Sequence, residues 1–424
     1  MKRELFALIL ASGEGTKILG KSPLELVLEP VLKIKPRRVY LVASPQDEEF
    51  GRILRKEKTK DVLILKADLP LLRPPTLTAL ARLHQKNDNS LTFLTAEKTD
   101  PAGWRRVVRL GGGSVKVVQD QKVSPMERKI REIDAGVYIF RAKDLLEALA
   151  PALPIRRQAG LNIIKIIETL MKMGRKVEAH KTGNSEEALS LRSGADFAMI
   201  ALALRIRKAR ALTASGVSVY DPLTTWIDLD VQVGRETVIY PSVILEGRTK
   251  IGRGCRLYPF SHLVDSTLGN RVKILPSTVI RESTIEDEAQ VGPFTHLRPK
   301  TVIRRGARVG NFVEMKNTRF GKRSKAGHLS YLGDSEVGED VNIGAGTITC
   351  NFDGFRKNKT FIEEQAFIGS GSQLIAPVKV GKGAYVGAGS TITKDVAPGA
   401  LAVSRGRQVE KPGWAARKKG KNKK

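Results

Sequence analysis

The sequence predicts two domains of different class, an α/β domain followed by a parallel β-helix built from hexapeptide repeats. Three observations support this prediction. The chain has 424 residues, which is more than one ordinary hydrophobic core accommodates. Its first part alternates short apolar runs with helix-like segments, a pattern typical of α/β domains. From Ile227 onward, aliphatic residues recur every six positions, which is the period of a parallel β-helix.

The α/β domain is predicted over residues 1–184. Val39–Val42 and Val62–Leu65 are short and fully apolar, as strands buried on both faces of a parallel sheet are. Residues 75–85 and 160–174 have the apolar spacing of helices. Strands that alternate with helices in this way indicate a sheet with helices packed against it.

A long connecting helix is predicted over residues 185–216. Ser185–Ala188 has the composition of a helix start, with serine followed by two glutamates. The stretch from Ala195 to Ala211 is rich in alanine, leucine, isoleucine and arginine, and Gly216 stands where such a helix would end. This helix is therefore expected to join the two domains.

The β-helix is predicted over residues 217–403. Occasional five-residue steps shift the six-residue phase, and an interruption near residues 351–361 separates the last hexads, which resume at Ile362. Each hexad supplies a short strand and a turn, and three hexads close one triangular coil. The aliphatic side chain points inward and stacks on its equivalent in the next coil, so that no coil is stable alone.

Composition and charge restrict the class of protein. Hydrophobic residues make up 41% and charged residues 28%, as in soluble proteins, and no apolar run of about 18 residues predicts a membrane span. Two cysteines imply no disulfide framework and favour a cytoplasmic location. The net charge of +29 suits a polyanionic ligand such as CoA. The basic tail, residues 404–424, leaves open a weak contact with nucleic acid or an anionic membrane.

Dense motifs within the hexads carry a family resemblance. They are Gly292–Pro299, Val309–Lys316, Ser324–Asp334 and Asn342–Asn351. From about residue 220 to Trp414, the chain closely resembles the C-terminal half of the bifunctional N-acetylglucosamine-1-phosphate uridyltransferase/glucosamine-1-phosphate acetyltransferase family. The resemblance implies a left-handed β-helix and a homotrimer with its sites between subunits. It also implies acetyl-CoA-dependent N-acetylation of glucosamine-1-phosphate, an amino-sugar phosphate, in the biosynthesis of the cell-wall precursor UDP-N-acetylglucosamine.

Acetyl transfer to an amine needs a base that removes a proton as the amine attacks the thioester. The resemblance assigns this catalytic role to His328. It assigns the sugar phosphate to Arg298 and Lys316, two cations that suit a dianionic group. The further substrate-binding residues that it implies are Glu314, Tyr331, Asn342 and Lys357, the last contributed by a neighbouring subunit.

The same resemblance implies where acetyl-CoA binds. The residues concerned are Ala345, Asn351, Phe352, Ser370, Ala388 and Arg405. Small side chains leave room for the pantetheine arm along the coil, and Arg405 suits a CoA phosphate. Phe352 departs from the family's tyrosine, so its ring contact is expected to remain without the hydroxyl.

The N-terminal segment resembles the nucleotidyltransferase loop of the same family, which implies a Rossmann-like nucleotidyltransferase fold. Backbone N–H groups of such a loop cradle a triphosphate. The nucleotide-binding residues implied here are Leu10, Ala11, Gly13, Gly15, Thr16 and Lys17. Asp68 matches the family's magnesium ligand. The resemblance therefore implies Mg²⁺ as a cofactor only if this domain is active.

Several departures from the family pattern concern this N-terminal domain. Lys17 replaces an arginine, Leu24 stands where the family has a lysine, and the uridine-reading segment has no counterpart between Val42 and Val62. The second metal-ligand position, normally asparagine, falls near Arg192. These departures predict that uridyltransferase activity is weakened or lost. Two alternatives stay open: a fully bifunctional enzyme, and a domain that senses a nucleotide or sugar phosphate without turnover.

Overall fold

The computed structural model describes most of the chain. The described residues are 5–10, 16–43, 48–57, 59–150 and 162–421. They form two compact units, which meet in the sequence at Arg207 and Lys208. The first unit and the second unit each have a hydrophobic core of their own.

The first unit is an α/β fold around one mixed sheet. Its strands are β1 (Leu5–Leu10), β2 (Val39–Val42), β3 (Asp61–Lys66), β4 (Leu91–Glu97), β5 (Arg106–Arg109), β6 (Val115–Val118), β7 (Glu132–Arg141) and β8 (Val177–Lys181). Its helices are α1 (Pro23–Lys33), α2 (Glu48–Lys56), α3 (Pro74–Lys86), α4 (Ala142–Leu149) and α5 (Ile163–Lys172). The strand order is β2-β1-β3-β7-β4-β8, with β5 and β6 paired as an antiparallel extension beside β7.

Both faces of this sheet are covered, as the apolar strands predict. Along β1, Ala7 and Ile9 pack in one core with residues of α1 and α3, whereas Phe6 and Leu8 pack in a second core with residues of α2, α4 and α5. Neighbouring side chains of a strand point to opposite faces, so a strand covered on both sides reads as one continuous apolar run. The predicted α/β class is confirmed.

The connecting helix starts later than the sequence predicted. Helix α6 spans Gly194–Ala214, whereas Ser185–Ala188 forms only one short 3₁₀ turn. The backbone between them is drawn away from a helix because the Leu191 N–H donates to a carbonyl in the segment that follows β3. The Ser193 hydroxyl then accepts the backbone N–H of residue 196 at 3.2 Å and caps the true start.

The second unit is the predicted β-helix of three stacked faces. Face one contains β10 (Trp226–Ile227), β13 (Ile244–Glu246), β16 (His262–Val264), β19 (Val279–Arg281), β22 (His296–Leu297), β25 (Glu314–Lys316), β28 (Tyr331–Gly333), β31 (Ile348–Cys350), β34 (Gln373–Ile375) and β37 (Thr391–Ile392). Face two contains β11 (Gln232–Val233), β14 (Lys250–Ile251), β17 (Thr267–Leu268), β20 (Thr284–Ile285), β23 (Val302–Ile303), β26 (Arg319–Phe320), β29 (Ser335–Val337), β32 (Thr360–Ile362) and β35 (Val378–Val380). Face three contains β9 (Ser218–Val219), β12 (Val238–Ile239), β15 (Arg256–Leu257), β18 (Lys273–Ile274), β21 (Gln290–Val291), β24 (Arg308–Asn311), β27 (Lys325–His328), β30 (Asn342–Ile343), β33 (Phe367–Ile368), β36 (Tyr385–Val386) and β38 (Leu401–Ala402).

All strand pairs within each face are parallel and pair in register with the coil above and below. Leu297 pairs with Met315, and Ile303 with Phe320. These inward side chains are fully buried and form one continuous core along the prism. The aliphatic residues that recur every six positions in the sequence are therefore the residues of the core. The predicted left-handed β-helix is confirmed.

The tail that follows the β-helix contains one helix, α7 (Trp414–Lys421). The Lys418 ammonium lies 5.9 Å from the centre of the Trp414 ring, a contact of residues one helical turn apart. Within the described ranges, none of the helices has the length and apolar character that spanning a bilayer requires.

Candidate active site

The corner at which face three turns into face one, here called the site corner, arranges the predicted base and cofactor residues in one column. His328 pairs in register with Asn311 of the coil below. Ala345, Ser370 and Ala388 occupy the equivalent position on the next three coils, as the pairing of their strands shows. Because neighbouring strands lie ~4.8 Å apart, the column extends about 14 Å from the imidazole.

Arg405 closes this column at its far end. It follows the last strand of face three, and its Nη1 donates to the Ala388 carbonyl at 2.8 Å. Ala345, Ser370 and Ala388 are here called the small-residue column. A cation is therefore held at one end of this column and an imidazole at the other. This spacing suits an extended ligand with a reactive group at one end and a phosphate at the other.

The outermost row of the site corner changes size at the level of His328. Up to its level, three successive coils carry large apolar residues with positive φ, and above it the row continues as glycine. The row is Phe294, Phe312, Leu329, Gly346, Gly371 and Gly389. The two phenylalanine rings stack at 5.4 Å between centroids, and Leu329 is 60% exposed. The glycines leave an open strip beside the small-residue column.

The His328 ring is oriented by Asn311, a residue that the sequence analysis missed. Nδ1 of His328 lies 2.5 Å from Oδ1 of Asn311. A carboxamide oxygen can only accept a hydrogen bond, so in the neutral ring Nδ1 carries the proton and Nε2 has the lone pair. The signal was available, because Asn311 precedes His328 by 17 residues, the spacing of coil neighbours elsewhere in the repeat.

Face one carries a cluster of cations, which contains the two predicted phosphate ligands, Arg298 and Lys316, and the predicted substrate contact Lys357. Arg298 follows β22, Lys316 ends β25 one coil above, and Lys357 comes from the loop after β31. The nearby Lys357 ammonium, and to a smaller extent Arg298, lowers the pKa of Lys316. Cations close enough to repel one another favour an anion between them, so this cluster is a candidate phosphate site.

Glu314 and Gly333 shape the space around these cations. The Glu314 carboxylate accepts from Arg298 Nη1 at 2.8 Å and raises the pKa of that guanidinium. A Cβ at Gly333 would lie 2.5 Å from the Tyr331 hydroxyl and 2.7 Å from the Asn351 amide nitrogen. Glutamate therefore positions the arginine, and glycine leaves the room that the tyrosine and asparagine side chains occupy.

Asp353 holds the loop that carries Lys357. Its carboxylate accepts from the backbone N–H groups of Phe355 at 2.9 Å and Arg356 at 2.8 Å, and from the Asn358 side chain at 2.9 Å. These donors lower the pKa of Asp353 to about 2. An anion that organises its own loop in this way fixes where the loop presents its lysine.

Within one chain, one predicted residue stands apart from the cation cluster and another lies beside it. Asn342 lies on face three, paired between Lys325 and Phe367 of the adjacent coils. Phe352 is 60% exposed in the loop, where its backbone forms an isolated bridge with that of Lys357. The resemblance implied that Lys357 reaches the substrate from a neighbouring subunit, yet within its own chain it already lies beside Lys316.

The first unit has a cavity of about 200 Å³ beside Asp68. The Ser190 hydroxyl donates to Asp68 Oδ2 at 2.7 Å. Ser190, and not Arg192, therefore occupies the position next to the predicted metal ligand. Of the predicted nucleotide residues, Leu10 ends β1 while Thr16 and Lys17 are exposed; Ala11, Gly13 and Gly15 lie outside the described residues.

The residues of this cavity do not fit a divalent metal. Mg²⁺ binds through carboxylate oxygens together with substrate phosphates. The second carboxylate, Asp134, is already engaged by Arg105 Nε at 2.8 Å and by the Tyr138 hydroxyl at 2.6 Å. Lys66 and Arg192 line the same space. In the part of the chain that the structure describes, no cluster of three histidine, cysteine or acidic side chains could hold a metal.

Comparison with known proteins agrees with the repeat and extends over the whole chain. Residues 359–394 match the family model "Bacterial transferase hexapeptide (six repeats)". A "Bifunctional protein GlmU" from Koribacter versatilis is 36% identical over all of this chain and 99% of its own length. Proteins of the same name from Fervidobacterium nodosum and Thermotoga maritima are 43% identical over 85% of the chain and 37% identical over 97%, covering 79% and 99% of those relatives. The chain therefore belongs to the GlmU family, the bifunctional N-acetylglucosamine-1-phosphate uridyltransferase/glucosamine-1-phosphate acetyltransferase family that its motifs resemble.

Proposed function

We propose that the β-helix of the second unit, predicted over residues 217–403, transfers the acetyl group of acetyl-CoA to the amine of glucosamine-1-phosphate. The bond between His328 Nδ1 and Asn311 carries this proposal, because it leaves Nε2 as a proton acceptor at the foot of the small-residue column. The cation cluster on the adjoining face supports a phosphorylated acceptor. Membership of the GlmU family supports the same chemistry.

The proposed reaction follows from these positions. The sugar phosphate binds to Arg298, Lys316 and Lys357, which places the amine towards the site corner. As the amine nitrogen attacks the thioester carbonyl, its proton passes to His328 Nε2. The tetrahedral intermediate then collapses: the new C–N bond remains, the C–S bond breaks, and the proton returns to the CoA thiolate. Glu314 keeps Arg298 in place and takes no proton in this scheme.

The proposed course of acetyl-CoA follows the site corner. Ala345, Ser370 and Ala388 present no bulk on three successive coils above His328, and glycines open the row beside them. Arg405, at the far end, then contacts a CoA phosphate. In this arrangement the thioester lies near the imidazole at the level where the glycine row begins.

We further propose a homotrimer with each site between subunits. Phe294, Phe312 and Leu329 form an exposed apolar ridge directly beside His328, and a neighbouring subunit is the occupant that would cover it. Such packing would bring face-three residues such as Asn342 to a neighbour's cation cluster. Nothing in the comparisons supports the predicted contact of the basic tail with nucleic acid.

The test is a direct assay of purified protein with acetyl-CoA and glucosamine-1-phosphate, following release of the free thiol and the N-acetylated product. Glucosamine without its phosphate and glucose-1-phosphate without its amine serve as matched acceptors. We expect turnover with glucosamine-1-phosphate, much weaker turnover with glucosamine, and none with glucose-1-phosphate. Equal turnover with glucosamine and glucosamine-1-phosphate would contradict the role given to the cation cluster.

Uridylyl transfer by the first unit is a second candidate function. The relatives that span this chain almost end to end are named bifunctional, and the predicted loss of the second activity finds no support in them. Pyrophosphate release from UTP and N-acetylglucosamine-1-phosphate, with Mg²⁺ present, tests this function. Release at a rate comparable with acetyl transfer would establish full bifunctionality, and no release above the protein-free rate would exclude it.

A further inference from the structure

We infer that the cavity of the first unit binds a phosphate ester directly through cationic side chains, in place of a divalent metal. This inference goes beyond acetyl transfer and does not depend on it. The cavity beside Asp68 has a volume of about 200 Å³. At ~30 Å³ for each water of liquid volume, this space holds about seven waters, room for a phosphate group and the part of a sugar next to it.

The charges that line the cavity favour an anion. Arg105 is neutralised by Asp134, which accepts from its Nε at 2.8 Å. Two lining cations, Lys66 and Arg192, then face one remaining carboxylate, that of Asp68. The balance is one positive charge along the cavity wall, which attracts an anion such as a phosphate.

Trp104 gathers further positive charge at the same place. The guanidinium carbon of Arg192 lies 4.3 Å from the centre of the indole ring, and the Lys98 ammonium lies 4.7 Å from it. Burial, and then the nearby Arg192, lower the pKa of Lys98. Cations held close to one ring repel one another, and this repulsion disfavours their charged forms. A bound phosphate would offset the repulsion.

The only uncommitted carboxylate of the cavity is a poor metal ligand in this setting. Asp68 Oδ2 accepts from the Ser190 hydroxyl at 2.7 Å, and Asp68 lines the cavity together with two cations. A divalent ion there would be repelled by Lys66 and Arg192, whereas the oxygens of a phosphate would be attracted by them. A ligand that needs no metal is therefore the one that these residues select.

Trp104 provides a local reporter for the test. The chain has three tryptophans, so a Trp226→Phe/Trp414→Phe background leaves Trp104 as the only one. N-acetylglucosamine-1-phosphate is titrated into this full-length protein in EDTA, and tryptophan emission is recorded. We expect a saturable change that Mg²⁺ does not enhance and that persists when Arg298→Ala disables the cation cluster of the second unit.

Substitution of the cavity cations should weaken this response. Lys66→Gln and Arg192→Gln are each expected to raise the apparent Kd about tenfold or more, since each removes a charge-assisted bond to phosphate. Lys122→Gln, at an exposed lysine outside the cavity, is the matched control and should bind as the parent does.

Three results would overturn the inference. They are no emission change up to millimolar ligand, a change that requires Mg²⁺, and an equal loss of affinity in the Lys122→Gln control. If the two phenylalanine substitutions impair folding, calorimetry in EDTA compares the unmodified protein with Arg192→Gln, and the same affinity difference is expected. Acetyl transfer is assayed on the same preparations, so failure of this inference and failure of the proposed acetyltransferase are separate outcomes.

Discussion

Oδ1 of Asn311 lies 2.5 Å from Nδ1 of His328, on adjacent coils of the site corner. The contact joins two side chains that the repeat places side by side in register. Because the carboxamide oxygen can only accept, the neutral imidazole has its proton on Nδ1 and offers Nε2 to the substrate. An exposed histidine thereby has one defined tautomer and a fixed ring plane.

Replacing Asn311 tests this orienting role. Asn311→Leu removes the acceptor, so the ring is free to rotate and to protonate at either nitrogen, and kcat should fall about tenfold or more. KM for both substrates should change little. Asn311→Asp keeps an acceptor at the same place and should retain most of the activity. Steady-state kinetics by thiol release checks both, and wild-type kcat in the leucine variant would contradict the role.

The small-residue column predicts a selective defect in acetyl-CoA binding. Ala388→Leu adds bulk to the third coil above His328, along the proposed course of the pantetheine arm. We expect KM for acetyl-CoA to rise about tenfold and KM for the sugar phosphate to stay unchanged. Ala397→Leu makes the same change at an exposed alanine away from the site corner and serves as the control. An equal effect of the two substitutions would argue against the assigned path.

The repulsion between Lys316 and Lys357 predicts a shift that can be measured without substrate. Lys357 is the largest cause of the lowered pKa of Lys316, so Lys357→Ala should raise the pKa of Lys316 towards its ordinary value of 10.5. The same variant should have a higher KM for the sugar phosphate, since one cation of the cluster is missing. Lysine side-chain NMR titration gives the pKa.

The matched control for this experiment is Lys359→Ala. Lys359 lies two residues further along the same loop, and its ammonium pairs with Glu336 at 3.1 Å. This control should leave both the Lys316 titration and the substrate KM as they are. A Lys316 titration that does not move in Lys357→Ala would show that the two ammonium groups are not neighbours.

Asp353 predicts how the substrate loop responds to acid. Its pKa is lowered from 3.8 to about 2 in the folded chain, so its stabilising effect is present above the unfolded value and is lost as the pH falls through about 2. The loop should therefore keep its conformation down to about pH 3. Asp353→Asn weakens the three hydrogen bonds at any pH and should raise KM for the sugar phosphate several-fold at unchanged kcat. A carboxyl signal of Asp353 that titrates near pH 4 would contradict this.

The stability of the β-helix should depend strongly on the volume of the Phe320 side chain. Its ring is fully buried in the core of the β-helix, between Ile303 of one adjacent coil and Val337 of the other. Phe320→Ala should lower the free energy of unfolding by about 3–5 kcal/mol. The neighbouring surface change Arg319→Ala should alter it by no more than about 0.5 kcal/mol. Denaturant unfolding of both variants gives the comparison.

The β-helix could be predicted almost residue by residue because its period is local. Leu297, Ile303 and Phe320 fall on the six-residue phase, and each is fully buried. A side chain in such a repeat needs only its place in the hexad to be assigned inward or outward. The interruption predicted near residues 351–361 could also be located, and the structure has a loop there between Cys350 and Thr360.

Contacts that depend on distant residues were beyond the sequence. Ser190 reaches Asp68 across 122 positions of the chain, and this approach decides that serine, not Arg192, lies at the carboxylate. The same segment holds Leu191 in a backbone bond to Asp68, which delays the start of α6 to Gly194 against its helical propensity. Propensity describes a segment alone, and tertiary hydrogen bonds override it here.

The central claim is that His328 removes the proton of the attacking amine. The most direct measurement is kcat for acetyl transfer by His328→Asn. The control is His262→Asn, at a second histidine of the β-helix, whose Nε2 lies 2.6 Å from the carboxylate of Glu246. Loss of a general base should lower kcat about 10²–10⁴-fold in the first variant, with acetyl-CoA still bound, and should leave the second near wild type. A His328→Asn enzyme with wild-type kcat would contradict the account.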